Sequence, residues 1–377
     1  MRTVGIEEEL LVVDTDSGRP LAVAERVLGA AQEGDVDSGP APQAPNGAED
    51  GDLGAELQRQ QVETGTPPRE RLTDLDADLR RWRGAAITAA RRVGARIIAS
   101  GTSPMPVRPE PMRKPRYEQM MERFGLTSAE LLTCGCHVHV SVASDDEAVA
   151  VLDRIRVWLP ALLALSANSP FWQGEDSRYA SFRSQAWSRW PSAGPPERLG
   201  SAQAYRDRIR AMVESGVLLD EGMVYFDARL SASYPTVEIR VADVCLDARH
   251  AVLIAGLCRA LVDTAAAEWE AGRPPPAVPA SMLRLATWRA GRDGVDGQLL
   301  DPGSHRPRKA REVVDALLEH VGPALEANGD IDLVRERVEH LLAEGNGARR
   351  QRTVLAKTSR LVDVVADLAR VTAGHEQ

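Results

Sequence analysis

Thr3–Val13 reads T-V-G-I-E-E-E-L-L-V-V. Its β-branched and apolar residues predict a strand, in which neighbouring side chains point to opposite faces. Alternation puts Glu7 and Glu9 on one face and Ile6, Glu8 and Leu10 on the other. Two carboxylates so placed stand about 7 Å apart, a spacing that suits two hard cations side by side. A lone E-x-E more often marks a solvent-facing strand, so its meaning depends on what the rest of the chain brings to the same face.

Three further stretches bring such residues. Leu53–Glu63 alternates again and predicts a second strand carrying Glu56 and Glu63. Glutamate is depleted in strands, so two in one strand call for a reason. Cys136–Val142, C-H-V-H-V-S-V, has strict period 2 and points both His137 and His139 to one face. Thr236–Val244 predicts a strand on which Glu238 and Arg240 share a face, a carboxylate for a cation beside a guanidinium that can grip phosphate. Singly, each is as well read as a solvent-facing charge, a polar pair or a cross-strand ion pair. Together, five carboxylates, two imidazoles and an arginine aimed at one sheet face read as a polymetal phosphate site.

Between and after these strands the pattern is helical. Thr73–Arg96 places Leu75, Leu79, Trp82, Ala86 and Ala90 on one stripe. Asp145–Leu165, Ala202–Ser215 and Asp247–Glu270 also predict helices, and Ala280 onward is helical in pattern. Strands and helices do not alternate regularly, which disfavours a doubly wound parallel sheet. An α+β fold follows, a mainly antiparallel sheet with helices on one face. Arg178–Pro191 is irregular, with three arginines and four aromatics, and reads as a binding loop. There is no P-loop, no G-x-G-x-x-G after a strand and no G-x-S-x-G elbow. Cys134 and Cys136 beside His137 and His139 raise a zinc site as an alternative. Their tight alternation along one segment is unlike the two separated ligand pairs of structural zinc.

The chain has 377 residues, 43% of them apolar, enough to bury a substantial core. Four cysteines are too few for a disulfide scaffold. The net charge of −9 argues against a nucleic-acid footprint. The N-terminus lacks the apolar segment of a signal peptide, and the apolar runs Trp158–Ala167 and Ala251–Leu257 are too short to span a bilayer. A cytoplasmic location without membrane partners is the expectation. Residues 32–52 hold six acids, no base and many Gly, Pro and Ala residues, and predict a mobile acidic loop between two carboxylate-bearing strands. Outside that loop and the five strand glutamates, acids and bases nearly balance.

Several longer motifs carry a resemblance. They are G-I-E-E-E-L at Gly5–Leu10, Q-V-E-T-G-T-P at Gln61–Pro67 and C-H-V-H-V at Cys136–Val140. A-N-S-P-F-W at Ala167–Trp172, Y-A-S-F-R-S-Q-A-W-S-R-W-P at Tyr179–Pro191, V-E-I-R-V-A-D-V-C at Val237–Cys245 and W-R-A-G-R-D-G at Trp288–Gly294 follow in order. The chain resembles the carboxylate–amine ligases of the YbdK family, the type 2 glutamate–cysteine ligases, along nearly its whole length. The resemblance implies one catalytic domain over residues 1–377, with a helical C-terminal part over 280–377. It implies the glutamine synthetase/guanido kinase-like fold, an antiparallel funnel with helices on its outer face. It also implies small-molecule substrates and a homo-oligomer such as a dimer.

The implied chemistry has two steps. ATP, with Mg2+ or alternatively Mn2+, phosphorylates a carboxylate of glutamate or a relative. An amine such as cysteine then displaces phosphate from the acyl phosphate. By motif, Glu7, Glu9, Glu56, Glu63, His137 and Glu238 would be metal ligands. His137 and His139 would lie beside the nucleotide, and Arg240 would steady the transferring phosphoryl group. Arg183 and Arg189 would hold phosphate or the substrate carboxylate. Two other readings compete: a non-catalytic relative that binds a nucleotide or metabolite, and a zinc-dependent hydrolase.

Overall fold

The computed structural model describes residues 1–35 and 52–374. Its centre is a seven-stranded sheet in which every pairing is antiparallel. The strands are β1 (Val4–Asp14), β2 (Asp52–Ala55), β3 (Gln61–Gly65), β4 (Ala95–Ile98) and β5 (Gly135–Ser141). Outside the sheet, β6 (Phe171–Trp172) and β7 (Glu175–Asp176) form a small hairpin. The sheet is completed by β8 (Ala228–Leu230) and β9 (Thr236–Asp243). Its order is β2-β3-β1-β5-β9-β8, with β4 paired to the C-terminal half of β1.

Alternation decides which face is buried. Val4, Ile6, Cys136, Val138, Val140, Val237 and Ile239 point into one core cluster. Helix Ala248–Glu270 packs on β1 and β5 there, flanked by helices Leu72–Arg92, Asp145–Ile155 and Ala310–Asn328. Leu10–Val13 continue into a second cluster with Val62, Ile97, Ile98 and Val364. Glu8 faces the helices too, where Arg83 meets it bidentately at 2.6 and 2.7 Å. Arg83 also donates to the carbonyls of Cys245 and Leu246 at 2.6 and 2.9 Å, so both buried charges are satisfied.

Four expectations need correction. Leu53–Glu63 is not one strand: β2 ends at Ala55, residues 56–60 turn, and β3 returns antiparallel, with Gly54 opposite Glu63. Asp145–Leu165 is two helices, Asp145–Ile155 and Leu159–Ser166, broken before Pro160. The loop expected over 32–52 begins inside helix Ala24–Asp35, and Asp52 opens β2; residues 36–51 lie outside the described residues. Helix Ala248–Glu270, at 23 residues, is long and apolar enough to cross a membrane, although its apolar runs are short. Its most apolar window is 83% buried, so it is the core helix of this fold. The C-terminal part is helical as expected, apart from the small hairpin β10 (Gln298–Leu300) and β11 (Pro307–Lys309).

Candidate active site

Register across the sheet assembles the charged face. Glu9 lies opposite Glu63, Glu7 opposite His137, His139 opposite Glu238, and Arg229 opposite Glu238. A register shift in β5 between Cys136 and Val138 falls beside His137. One row of side chains therefore runs from β3 to β8, opposite the packed helices.

Two ligand groups emerge, Glu7–His137–Glu238 and Glu9–Glu63–His137, each with donor atoms within 4.8 Å of one another. His137 belongs to both. Its Nδ1 is 3.7 Å from Glu7 Oε2, and its Nε2 is 4.0 Å from Glu9 Oε1. The Nε2 atoms of His137 and His139 are buried without a hydrogen-bond partner. His139 Nε2 lies 3.4 Å from Glu7 Oε2, while its Nδ1 is fixed by Thr236 Oγ1 at 2.9 Å. Orphaned imidazole nitrogens among carboxylates are what a metal-ligand set looks like before a cation completes it.

The electrostatics agree. Burial, then the charge of Glu9, pushes the Glu56 carboxyl up to about 7. Burial and the Glu56 charge push Glu63 well up. Burial opposes ionisation of Glu7, but the neighbouring imidazoles of His137 and His139 outweigh it and hold Glu7 well below the carboxylate range. Burial also opposes Glu238, yet Arg240 and Arg229 hold it down to about 2. So many carboxylates cannot all ionise in one small space without added positive charge. A divalent cation would supply that charge, and a ligand set dominated by carboxylate oxygens fits a hard cation.

Arg240 binds Glu238 Oε1 through Nη1, and Arg229 Nε donates to Glu238 Oε2 at 2.7 Å. Arg240 Nη1 also lies 3.5 Å from His137 Nδ1, and its Nε has no partner. Arg183 sits beneath, 3% exposed, donating to the carbonyls of Val241 and Arg240 at 3.4 Å each. Asp243, 3.9 Å from Arg183, is anchored by Ser169 and Ser181 hydroxyls at 2.6 and 2.8 Å. Arg189 lies away from the carboxylate cluster, exposed and paired with Glu130 at 2.9 Å, where it lines the neighbouring chamber. Glu56 reaches the cluster from the turn after β2, with Leu57 N donating to its Oε2 at 2.7 Å.

Cys134 and Cys136 do not join His137 and His139. Both thiols are buried, and Cys136 points into the helix-side core. Among the described residues no cysteine falls in a metal-ligand group, so the zinc alternative loses its ligand set.

The cluster lines a cavity of about 310 Å³. It opens at one end into a space of about 310 Å³ walled by Gly5, Gly54, Gly65 and Thr66, and shares Glu7 and His139 with it. At the other end Arg240, Trp187 and Trp190 pass into a chamber of about 450 Å³.

Several site residues were not predicted. Arg229 lies on the three-residue strand β8, too short to show periodicity. Gly135 donates its N–H to Glu9 Oε2 at 2.6 Å, and a Cβ there would stand 2.3 Å from Arg183 Nη2 and 2.9 Å from His137 Nε2. Only its place beside C-H-V-H hinted at this.

An antiparallel sheet bearing two carboxylate–imidazole groups and a neighbouring arginine is the frame of this site. The solved glutamate–cysteine ligase of Francisella tularensis in complex with AMP shares this fold, with a TM-score of 0.69 at 12% identity over 99% of this chain and 88% of that one. The model of glutamate–cysteine ligase family 2 matches residues 3–368, and the chain belongs to that family. A Streptomyces avermitilis protein named "Putative glutamate--cysteine ligase 2-1" is 51% identical over 99% of this chain and 100% of its own length. A Streptomyces coelicolor protein named "Putative glutamate--cysteine ligase 2" is 52% identical over 99% of each.

Proposed function

We propose that the protein is an ATP-dependent carboxylate–amine ligase that joins L-glutamate or a related carboxylate to an amine such as L-cysteine. The observation that carries this reading is the pair of ligand groups sharing His137, set beside Arg240 on one open sheet face. Glu7, His137 and Glu238 would hold one divalent cation, and Glu9, Glu63 and His137 the other, with Glu56 beside them. Magnesium bound there would neutralise the charge of the phosphates.

The chain's own residues do the rest. The glycine-walled space suits a flat nucleobase, because Gly5, Gly54 and Gly65 keep its walls thin. His139, fixed by Thr236, faces the phosphates entering from that end. The carboxylate donor occupies the opposite chamber. Arg240, steadied by Glu238, meets the phosphoryl group in flight, where charge develops. Phosphorylation of the donor gives an acyl phosphate and ADP; the amine then attacks the carbonyl carbon and phosphate leaves. This scheme uses no protein nucleophile, so positioning and charge neutralisation supply the catalysis. The same reading takes residues 1–377 as one catalytic domain of a cytoplasmic homo-oligomer.

The test is incubation with ATP, Mg2+ and glutamate plus a panel of amines, read by mass spectrometry. ADP, phosphate and a new amide are expected. AMP with pyrophosphate would overturn the acyl-phosphate route. ATP binding without turnover of any amine would favour the non-catalytic reading.

A further inference from the structure

The chamber of about 450 Å³ has an unusual charge pattern. Four arginines line it, Arg183, Arg189, Arg240 and Arg284, against one acid, Asp227. Asp227 Oδ2 is buried and has no hydrogen-bond partner. A buried carboxylate oxygen left unpaired is costly unless a ligand completes it. Its backbone is pinned from both sides, with Asp227 N donating to Gly194 O at 3.1 Å and Asp227 O accepting from Arg240 N at 2.9 Å. Arg183 Nε, Arg240 Nε and Trp190 Nε1 are also buried without partners. The chamber thus offers several free donors and one fixed anionic acceptor, which matches a zwitterionic head group.

We propose that Asp227 recognises the α-ammonium group of the carboxylate donor, so that the donor is an α-amino acid. Its α-carboxylate faces the arginines and its reacting carboxylate reaches the metal-ligand cluster past Arg240. This rests on the ligase reading of the site. The donor, rather than the amine acceptor, is the partner of Asp227 for a chemical reason. The acceptor's nitrogen attacks as a free amine, so it cannot remain a charged partner of the carboxylate through the reaction. The donor's ammonium takes no part in the reaction and stays charged. Burial, only partly offset by Arg183 and Arg284, pushes the Asp227 carboxyl up to about 7, and a bound ammonium supplies the missing counter-charge.

The test compares L-glutamate with glutarate, which lacks only the α-ammonium. Trp187, Trp190 and Trp288 line the chamber, so intrinsic tryptophan fluorescence reports binding of each directly. Hydroxamate and ADP are measured in parallel with hydroxylamine, an acceptor uncharged near neutral pH. The unaltered protein is expected to prefer L-glutamate by roughly 10- to 100-fold, the usual worth of a hydrogen bond to a charged group. In Asp227→Asn that ratio should collapse toward one, while Asp227→Glu should keep part of it. Thermal unfolding of both variants separates misfolding from lost recognition. Equal affinities in the unaltered protein, or an unchanged ratio in Asp227→Asn, would overturn the proposal. Selective glutamate binding with no ADP from any acceptor would instead remove the ligase reading and leave the ammonium site standing.

Discussion

Gly135→Ala adds a single methyl group at the most crowded point of the site. The new Cβ would stand 2.3 Å from Arg183 Nη2, 3.0 Å from Arg183 Cζ and 2.9 Å from His137 Nε2. Ordinary van der Waals contact begins near 3.4 Å, so the guanidinium must retreat by about 1 Å and the imidazole by about half that. Neither has slack, because Arg183 and His137 are each 3% exposed. Overpacking of this kind costs about 1–3 kcal/mol of stability. The larger effect falls on catalysis, since His137 belongs to both ligand groups and a misplacement of about 1 Å can cost about 100-fold. The assay is ADP release with glutamate and an amine, with thermal unfolding run alongside. Gly84→Ala is the control: it lies mid-helix with nothing within 4 Å of the added Cβ, and should be neutral or stabilising by up to about 1 kcal/mol. Near-normal turnover in folded Gly135→Ala would refute the placement of His137 and Arg183 at the reaction centre.

Glu238→Gln leaves Arg229 and Arg240 without their shared anion and should lower kcat by at least about 100-fold in a folded protein, measured by steady-state kinetics across a magnesium titration. Glu8→Gln strips Arg83 of the carboxylate that meets it bidentately. It should destabilise the fold by about 3–5 kcal/mol in denaturant titration, without changing the magnesium dependence of the remaining folded enzyme. His250 is 6% exposed, and burial, with His340, Arg249 and Arg337 working against Asp247, lowers its pKa to about 4. The unfolded chain therefore takes up this proton first. Stability is complete above the ordinary histidine range and falls as pH drops from about 6.5 toward 4, by up to about 3 kcal/mol. His250→Gln should flatten that slope in unfolding curves measured between pH 7 and 4.

The sheet was legible where alternation meets one buried face. Gly5–Leu10 could be split into Glu7 and Glu9 on one side and Glu8 on the other, and the structure separates them the same way, into ligand groups and a buried ion pair. His137, His139, Glu238 and Arg240 were found by the same period. The turn between β2 and β3 was invisible because no Gly, Pro, Asn or Asp marks it. Gln58 is fastened instead by its side-chain amide to the carbonyls of Ser128 and Leu131 at 3.1 Å each, and Gln60 Oε1 by Glu110 N at 3.0 Å. Tertiary partners 50 or more residues away stand in for local turn chemistry. Arg229 and Asp227 were missed for a related reason. They lie on or beside a three-residue strand, whose place is set by pairing with β9 and not by its own pattern.

On the proposed reading, the two ligand groups and Arg240 serve phosphoryl transfer to the donor's carboxylate. Oxygen-18 in the γ-carboxylate of L-glutamate tests it directly. In a reaction with ATP, Mg2+ and a competent amine, one labelled oxygen should pass into the released inorganic phosphate, with ADP formed in equal amount. Label appearing in AMP, or phosphate released wholly unlabelled, would contradict the account.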